Sequence, residues 1–221
     1  MSQFMHLLPI LVAAAFALAI IVERAHALYV RYPVRNAAQF FERITDLVMA
    51  GKLAEAVAVC DKLEHKPSAR VVKLALLRAH QPETLIESGL ELEVGKAAES
   101  IEKRTQFLAM IANVATLLGL FGTIAGLITS FAAIGQADAA QKSQLLATGI
   151  SQAMNATMLG LGVAIPCMVA FSFLMNRTNR LVAEVDHSAV QTLDILRQRF
   201  YSAQVGALKS VNGKKKAQES L

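Results

Sequence analysis

Residues 105–137 read TQFLAMIANVATLLGLFGTIAGLITSFAAIGQA and contain no Asp, Glu, Lys or Arg. The same chain of 221 residues has two more uncharged stretches, residues 1–22 and 143–176. A bilayer crossing needs about 20 apolar residues, and in lipid every backbone amide must find its hydrogen-bond partner within its own segment. The three stretches therefore predict an all-α membrane protein with three transmembrane helices, and they argue against a soluble enzyme, a disulfide scaffold or a β-barrel.

The basic residues indicate how the chain is oriented in the membrane. Of 22 Lys and Arg residues, 13 lie within residues 24–104, one is Lys142, and eight follow within residues 177–221. Because Lys and Arg accumulate in cytoplasmic segments, these two ranges are predicted to be cytoplasmic, whereas the N-terminus and the loop after the second span are predicted to be periplasmic. The same distribution explains the net charge of +5 without a nucleic-acid partner, and the lysines near the C-terminus are expected to lie near anionic membrane lipid.

These patterns divide the chain into seven segments. The first transmembrane helix, residues 1–23, is expected to stay uncleaved because no Lys or Arg precedes its apolar core. The other segments are a cytoplasmic helical region (24–104), the second transmembrane helix (105–137), a periplasmic loop (138–148), the third transmembrane helix (149–176), a cytoplasmic helix (177–205) and a basic disordered tail (206–221).

The second and third transmembrane helices are predicted to extend far into the cytoplasm, beside a small helical domain. Apolar residues recur at helical spacing from Ile86 to Ile101, and no proline separates this stripe from the second uncharged stretch. A similar stripe runs from Leu181 to Phe200 below the third stretch. The second and third uncharged stretches would each be roughly 50 Å long as helices, which is more than the hydrocarbon needs. Protein or the membrane interface is expected to cover part of each end, which a monomer could not easily do.

Small residues in the second and third stretches favour close packing of helices. The second stretch contains a GxxxG pair with a further glycine one turn before it, and the third contains two glycines followed by a proline that frees a backbone carbonyl. A helix-packing role is predicted for Gly119, Gly122, Gly126, Gly160, Gly162 and Pro166.

Polar side chains also recur at helical spacing in these stretches. Amides are costly in hydrocarbon and usually face a bundle interior or a wet cavity, and hydroxyls and amides can order water or bind the shell of an ion. The candidate ion-pathway residues are Thr116, Thr123, Gln152, Asn155 and Thr157. Two alternatives stay open: a threonine hydroxyl can bond to the carbonyl four residues earlier, and the amides can clasp a neighbouring subunit.

Two of the stretches resemble a known family. The residues concerned are GLFGTIAGLI at 119–128, GISQAMNAT at 149–157, and the following Gly160-Leu161 and VAIP at 163–166. Together they resemble the MotA/TolQ/ExbB proton channel family. Residues 51–56, GKLAEA, with Cys60 and Pro67, fit the ExbB and TolQ branch of that family.

The resemblance implies a fold, partners and a function. It implies a homopentamer of three-span subunits in the bacterial inner membrane, around two copies of a single-span ExbD/TolR-like partner that carries a transmembrane aspartate. In the family, inward proton flow powers work by the partner in envelope transport, envelope integrity or motility, and the threonines matching Thr123 and Thr157 face the proton route. The chain is therefore expected to be a non-enzymatic channel or stator subunit without a cofactor or a bound metal.

One position departs from the family pattern. ExbB and TolQ have a glutamate where this chain has Gln152, within the pattern G-I-x-E-A-L-x-x-T-A. Glutamine releases no proton near neutral pH, so an acid that carries protons must belong to the partner. The exchange leaves two alternatives open, a sodium-driven member and a membrane scaffold that conducts nothing. An intramembrane enzyme has little support, because the spans contain no Ser/Lys or Ser/His dyad, HExxH motif or paired acids.

Overall fold

The computed structural model of the chain is helical almost throughout. It describes the backbone of residues 2–34, 36–135 and 140–219, and the side chains within residues 8–34, 36–135 and 140–202. In these ranges the chain forms no strand. The helices found there are α1 (Ser2–His26), α2 (Ala37–Met49), α3 (Leu53–Asp61), α4 (Pro67–Leu77), α5 (Glu83–Glu102), α6 (Thr105–Gly135) and α7 (Lys142–Glu219), and a π-helical turn, Ala27–Arg31, follows α1.

Three parts of the described chain are long and apolar enough to cross a membrane. They are Leu8–Arg31, Glu83–Gly135 and Lys142–Ser202. Each contains one of the uncharged stretches or most of it, which confirms the prediction of an all-α membrane protein with three spans. The second and third parts are far longer than the roughly 20 residues that a bilayer crossing requires, so helix continues well beyond the spanning length.

The chain divides into two compact units. Residues 1–27 and 102–177 form the first, called here the membrane unit, which contains α1, α6 and the first part of α7. Residues 28–101 and 178–221 form the second, called here the helical unit, which contains α2, α3, α4, nearly all of α5 and the rest of α7.

In the membrane unit, α6 and α7 pack antiparallel through small residues. Buried positions alternate at spacings of three and four along α6, the periodicity of helices that pack side by side at a small angle. The contact, called here the small-residue seam, is formed by Gly119, Gly122 and Gly126 of α6 and by Ala153, Ala156 and Gly160 of α7.

The distances across the seam leave no room for larger side chains. A Cβ atom added at Gly160 would lie 2.7 Å from the carbonyl oxygen of Ala115 and 2.9 Å from Cα of Gly119. A Cβ added at Gly122 would lie 2.7 Å from Cβ of Ala156. The two backbones are therefore in direct contact, which lets dispersion forces hold helices together where lipid supplies no hydrophobic drive.

Gly162 and Pro166, which the sequence grouped with the packing residues, lie outside the seam. Both are exposed within the chain, and a Cβ added at Gly162 meets nothing within 4 Å. Residues two apart on a helix point in different directions, so Gly162 cannot share the face of Gly160. Within this chain, Gly162 takes no part in the contact between α6 and α7.

The apolar stripe predicted that the second span forms one uninterrupted helix with the segment before it. The structure shows a break between the two. Helix α5 ends at Glu102 and α6 begins at Thr105. Between them Arg104 has a φ of 66°, a left-handed conformation that commonly ends helices. Hydrophobic periodicity did not reveal this break, because the left-handed residue is an arginine and not the usual glycine.

Polar contacts tie α1 to the beginning of α6. An Nη atom of Arg104 lies 2.5 Å from a carboxylate oxygen of Glu23. Beside this pair, Nε of Arg24 donates a hydrogen bond to Oγ1 of Thr105 at 3.3 Å, and both residues are buried. These contacts hold the left-handed turn against the end of α1.

The helical unit has an aliphatic core. Gly51, with a φ of 77°, ends α2 in a Schellman motif, in which Lys52 N–H donates to the carbonyl of Leu47 and Gly51 N–H to that of Val48. Pro67 occupies the first turn of α4, where its missing N–H breaks no helical bond. The fully buried residues of this core include Ile44, Val48, Ala56, Cys60, Ala69, Val71, Val72 and Ala75.

Several predicted boundaries differ from those of the helices. The backbone of α7 is helical to Glu219, whereas the sequence indicated a disordered tail from residue 206. Alanine, leucine, lysine and glutamine favour helix, and their combined propensity opposes that of the two glycines in this segment. Helix α7 already begins at Lys142, within the predicted periplasmic loop. Residues 136–139, 220 and 221 lie outside the described residues.

We expect substitutions at Gly160 and Gly162 to have opposite outcomes. Gly160→Ala forces a methyl group against the carbonyl of Ala115 and should lower the free energy of unfolding by about 1–3 kcal/mol. Gly162→Ala is the matched control, two residues along the same helix, and should be neutral or slightly stabilising, because alanine favours helix more than glycine. The midpoints of thermal unfolding in detergent compare the two, and equal midpoints would contradict the seam.

The buried thiol of Cys60 should be inert. Burial, together with the neighbouring charge of Asp61, raises the pKa of this thiol from 9.0 to about 12. The folded protein therefore retains a proton that the unfolded chain loses, and the stability that Cys60 contributes should fall as the pH rises from 9.0 to about 12.

Alkylation measures this directly. The thiolate is the reactive species, so in a Cys167→Ser background a maleimide at pH 8 should label Cys60 at least about tenfold more slowly in the folded protein than after denaturation. Equal labelling rates would show that the thiol is accessible and ionised.

Candidate functional site

Two threonine hydroxyls meet where α6 and α7 are closest. Oγ1 of Thr123 donates a hydrogen bond to the carbonyl of Gly119, one turn earlier in α6, at 3.1 Å. Oγ1 of Thr157, on α7, donates to the same carbonyl at 3.2 Å. The two hydroxyl oxygens also lie within hydrogen-bonding distance of each other, so either one can donate to the other in place of the carbonyl. Both side chains are half-buried within the chain, so part of this polar cluster remains accessible.

The cluster has more hydrogen-bond contacts than protons. Each hydroxyl carries one proton, so only two of the three contacts can be hydrogen bonds at the same time. The donors can therefore exchange between the shared carbonyl and the partner hydroxyl without a change in the backbone. In every arrangement at least one hydroxyl oxygen keeps a lone pair that can accept a proton donor from outside the chain.

The small-residue seam makes this cross-helix contact possible. A Cβ added at Gly119 would lie 3.2 Å from Cα of Thr157, so a larger residue there would push α7 away. A threonine that bonds to its own helix is ordinary in a membrane span. What is specific here is that the carbonyl of Gly119 is shared with a threonine from the facing helix.

The remaining candidate residues do not join this cluster. Thr116 is exposed, and its hydroxyl donates to the carbonyl of Ala112 in its own helix at 3.0 Å. Gln152 and Asn155 are exposed, and neither amide makes a hydrogen bond within the described part of the chain. At about 100° per residue they point roughly 140° and 160° away from Thr157 around α7. The structure therefore places the hydroxyls and the amides on different faces.

The part of the site that the structure describes has no acid of its own. Within residues 105–135 and 143–176 the chain has no Asp, Glu, Lys or Arg. Among the described residues, no group of three His, Cys, Asp or Glu side chains could hold a metal ion. The arrangement can accept and donate hydrogen bonds, but it cannot itself take up and release protons near neutral pH.

Sequence reasoning missed the contacts at the end of the first span. There Glu23 contacts Arg104 and Arg24 contacts Thr105. The sequence did contain a signal, because Glu23-Arg24 and Arg104-Thr105 lie at ends of two uncharged stretches that the predicted topology puts on the same side of the membrane.

Comparisons with known sequences agree on one group of proteins. The sequence pattern of the MotA/TolQ/ExbB proton channel family matches residues 63–187, a range that includes Thr123 and Thr157. The chain is 34% identical over 135 residues to the Tol-Pal system protein TolQ of Haemophilus influenzae, a match that covers 59% of each protein. It therefore spans about three fifths of the length of that relative. A match to the biopolymer transport protein exbB1 of Vibrio cholerae is 24% identical and covers 81% of this chain and 79% of the relative.

A comparison of structures gives the same fold. The chain superposes on C. jejuni MotAB with a TM-score of 0.54, covering 91% of this chain and 83% of the other, at 16% sequence identity. The arrangement of helices is thus shared with that protein although few residues are.

We expect the two threonines to be individually dispensable for folding. In a Thr123→Val or Thr157→Val protein the remaining hydroxyl can still donate to the carbonyl of Gly119. Each change should therefore lower the free energy of unfolding by no more than about 1.5 kcal/mol. Chemical denaturation in detergent of both single variants and of the double variant measures this, and a non-additive double variant would show that the hydroxyls are coupled. Unfolding of either single variant would contradict the geometry.

Proposed function

This chain belongs to the MotA/TolQ/ExbB proton channel family, and on that premise we propose that it is the channel or stator subunit of an ion-driven motor in the bacterial inner membrane. The motor couples ion flow, with protons as the leading candidate, to mechanical work by a single-span ExbD/TolR-like partner on transport, envelope integrity or motility. The observation that carries this proposal is the hydroxyl pair of Thr123 and Thr157 between the uncharged stretches of α6 and α7, residues 105–135 and 143–176, which are called here the inner helices and hold no acid.

The hydroxyl pair is suited to an acid supplied by the partner. A protonated carboxylic acid donates a hydrogen bond to a threonine oxygen, whereas a carboxylate accepts one from a threonine hydroxyl. Because three contacts share two protons, a threonine of the pair can change from accepting a hydrogen bond from the partner's acid to donating one to it. This change requires no break in the helix backbone. Protonation of the partner's aspartate then changes how strongly it binds one subunit, and the inner helices can shift or rotate relative to it.

The exposed faces of α6 and α7 are consistent with a ring. Large apolar side chains such as Phe121 and Met154 are 62% and 64% exposed in the single chain, so lipid or protein must cover them. We propose a homopentamer around two copies of the partner, with the N-terminus periplasmic and the C-terminus cytoplasmic. The separate direction of Gln152 and Asn155 favours contact with a neighbouring subunit, while the threonines face the partner.

Two alternatives follow from Gln152 and differ in a measurable way. A sodium-driven member would carry current under a sodium gradient and not under a proton gradient. A non-conducting scaffold would assemble with its partner and carry neither ion. Both candidates rest on the same observation, which is that Gln152 has an amide where the family pattern has an acid.

Ion flux through vesicles that contain the subunit and its partner tests the proposal. Thr123→Val and Thr157→Val should each lower proton flux at least about tenfold, because each removes a hydrogen bond to the partner's charged group. Thr129→Val is the matched control, since that exposed hydroxyl bonds only to the carbonyl of Gly126 in its own helix.

The outcomes separate the candidates. Normal flux in both seam variants, with all complexes assembled, would contradict a role for the hydroxyls. Flux driven by sodium alone would identify the sodium-driven alternative, and the absence of flux from an assembled wild-type complex would identify the scaffold.

A further inference from the structure

A cleft of about 530 Å³ opens in the helical unit among α2, the first turn of α4 and α7. Val34, Ala37 and Phe41 give it an apolar side. Its ionisable lining residues are Glu42 and Asp46 of α2 and Glu184 and His187 of α7, and neither Lys nor Arg is among the residues that line it. The cleft is therefore acidic in a chain whose net charge is +5.

Two of these carboxylates lack a cation. Glu42 and Asp46 lie one turn apart on α2, both are exposed, and neither forms an ion pair within the described part of the chain. Like charges at this spacing repel each other and destabilise a helix slightly. A positive group seated in the cleft would relieve that repulsion.

A second, independent feature of the cleft points to a ligand. Ser68, in the first turn of α4, lines the cleft and is only 9% exposed. Its side chain makes no hydrogen bond within the described residues, whereas the neighbouring Ser188 donates to the carbonyl of Glu184. The Ser68 hydroxyl is accessible from the cleft and has no partner within the described residues, and the backbone of a peptide would supply an acceptor for it.

We propose that this cleft docks the basic cytoplasmic flank of the single-span partner, an inference that rests on the function proposed above. A single-span protein that works outside the membrane accumulates Lys and Arg on its cytoplasmic side. The ammonium groups would meet Glu42 and Asp46, and the aliphatic stems of lysine side chains would lie along the apolar side.

The flank can also reach this part of the chain. Glu184 follows Asn176, the last residue of the uncharged stretch, by about two turns of α7. An extended flank of about ten residues spans roughly 33 Å, several times that distance along the helix. Docking would tether the partner to the helical unit while its transmembrane segment engages the threonines.

Binding of a model peptide to the full-length protein in detergent tests the proposal. The probe is a fluorescent oligolysine of about ten residues with one leucine, compared with the same peptide carrying glutamate in place of lysine. Glu42→Gln with Asp46→Asn should weaken binding of the lysine peptide about tenfold, and Ser68→Ala should weaken it severalfold.

The matched control is Glu87→Gln with Glu91→Gln. These two carboxylates have the same spacing on α5, and neither lines the cleft, so this change should leave peptide affinity within twofold of wild type. Equal losses in the two double variants, no binding by the wild-type protein, or equal binding of the glutamate peptide would overturn the docking site.

Two further arms identify the occupant. Stronger peptide binding after Lys214, Lys215 and Lys216 are replaced by Gln would show that the cleft holds the tail of a second copy, which would overturn the partner as occupant. Ion flux measured in the same preparations separates the two proposals. If ions flow but the cleft variants bind the lysine peptide as tightly as the control variants do, only the docking site is overturned. If the cleft variants bind it more weakly and no ions flow, the docking site is supported and the channel is overturned.

Discussion

The approach of α6 to α7 at Gly119 and Gly160 is the contact on which the rest of the membrane unit depends. Lipid tails are as apolar as leucine side chains, so burial from water does not drive these helices together. Direct backbone contact supplies the attraction instead, and it requires residues without a side chain at both positions. The same closeness places the hydroxyl of Thr157 on the carbonyl of Gly119.

The polar chemistry of the membrane unit follows from what hydrocarbon permits. A charged side chain at the centre of a bilayer is costly, and the inner helices of this chain carry none. Hydroxyls are cheaper because each can bond to its own helix when no partner is present. The Thr123–Thr157 pair thus stays satisfied in the isolated chain and still offers a lone pair to an external acid, so one geometry serves both folding and the proposed function.

The charged groups of the described chain are concentrated at the ends of the spans and in the helical unit, where they act as structural contacts and as a surface. Arg104 ends α5 in a left-handed conformation and contacts Glu23, while Arg24 is buried against Thr105. In the helical unit most lysines and arginines that form ion pairs do so away from the acidic cleft, which leaves Glu42 and Asp46 available for a cation from outside the chain.

The linear sequence was enough to predict the three spans, the absence of an acid from the second and third uncharged stretches, the family, and a role for Thr123 and Thr157 in the ion pathway. These features depend on local composition, on spacing along one helix, or on a motif. Composition, spacing and motifs can all be recognised in the sequence without knowing which residues come together in the fold. It also grouped the glycines by type, because the spacing along α7 does not show which of its faces meets α6.

Which of these residues meet became visible only in the folded chain. The hydroxyl contact joins residues 34 positions apart, and the contacts of Arg24 with Thr105 and of Arg104 with Glu23 each join residues 81 positions apart. Such contacts depend on the register and rotation of two packed helices, which no single periodicity contains. The left-handed turn at Arg104 was likewise not visible in the sequence, and the contact of Arg104 with Glu23 holds it against the end of α1.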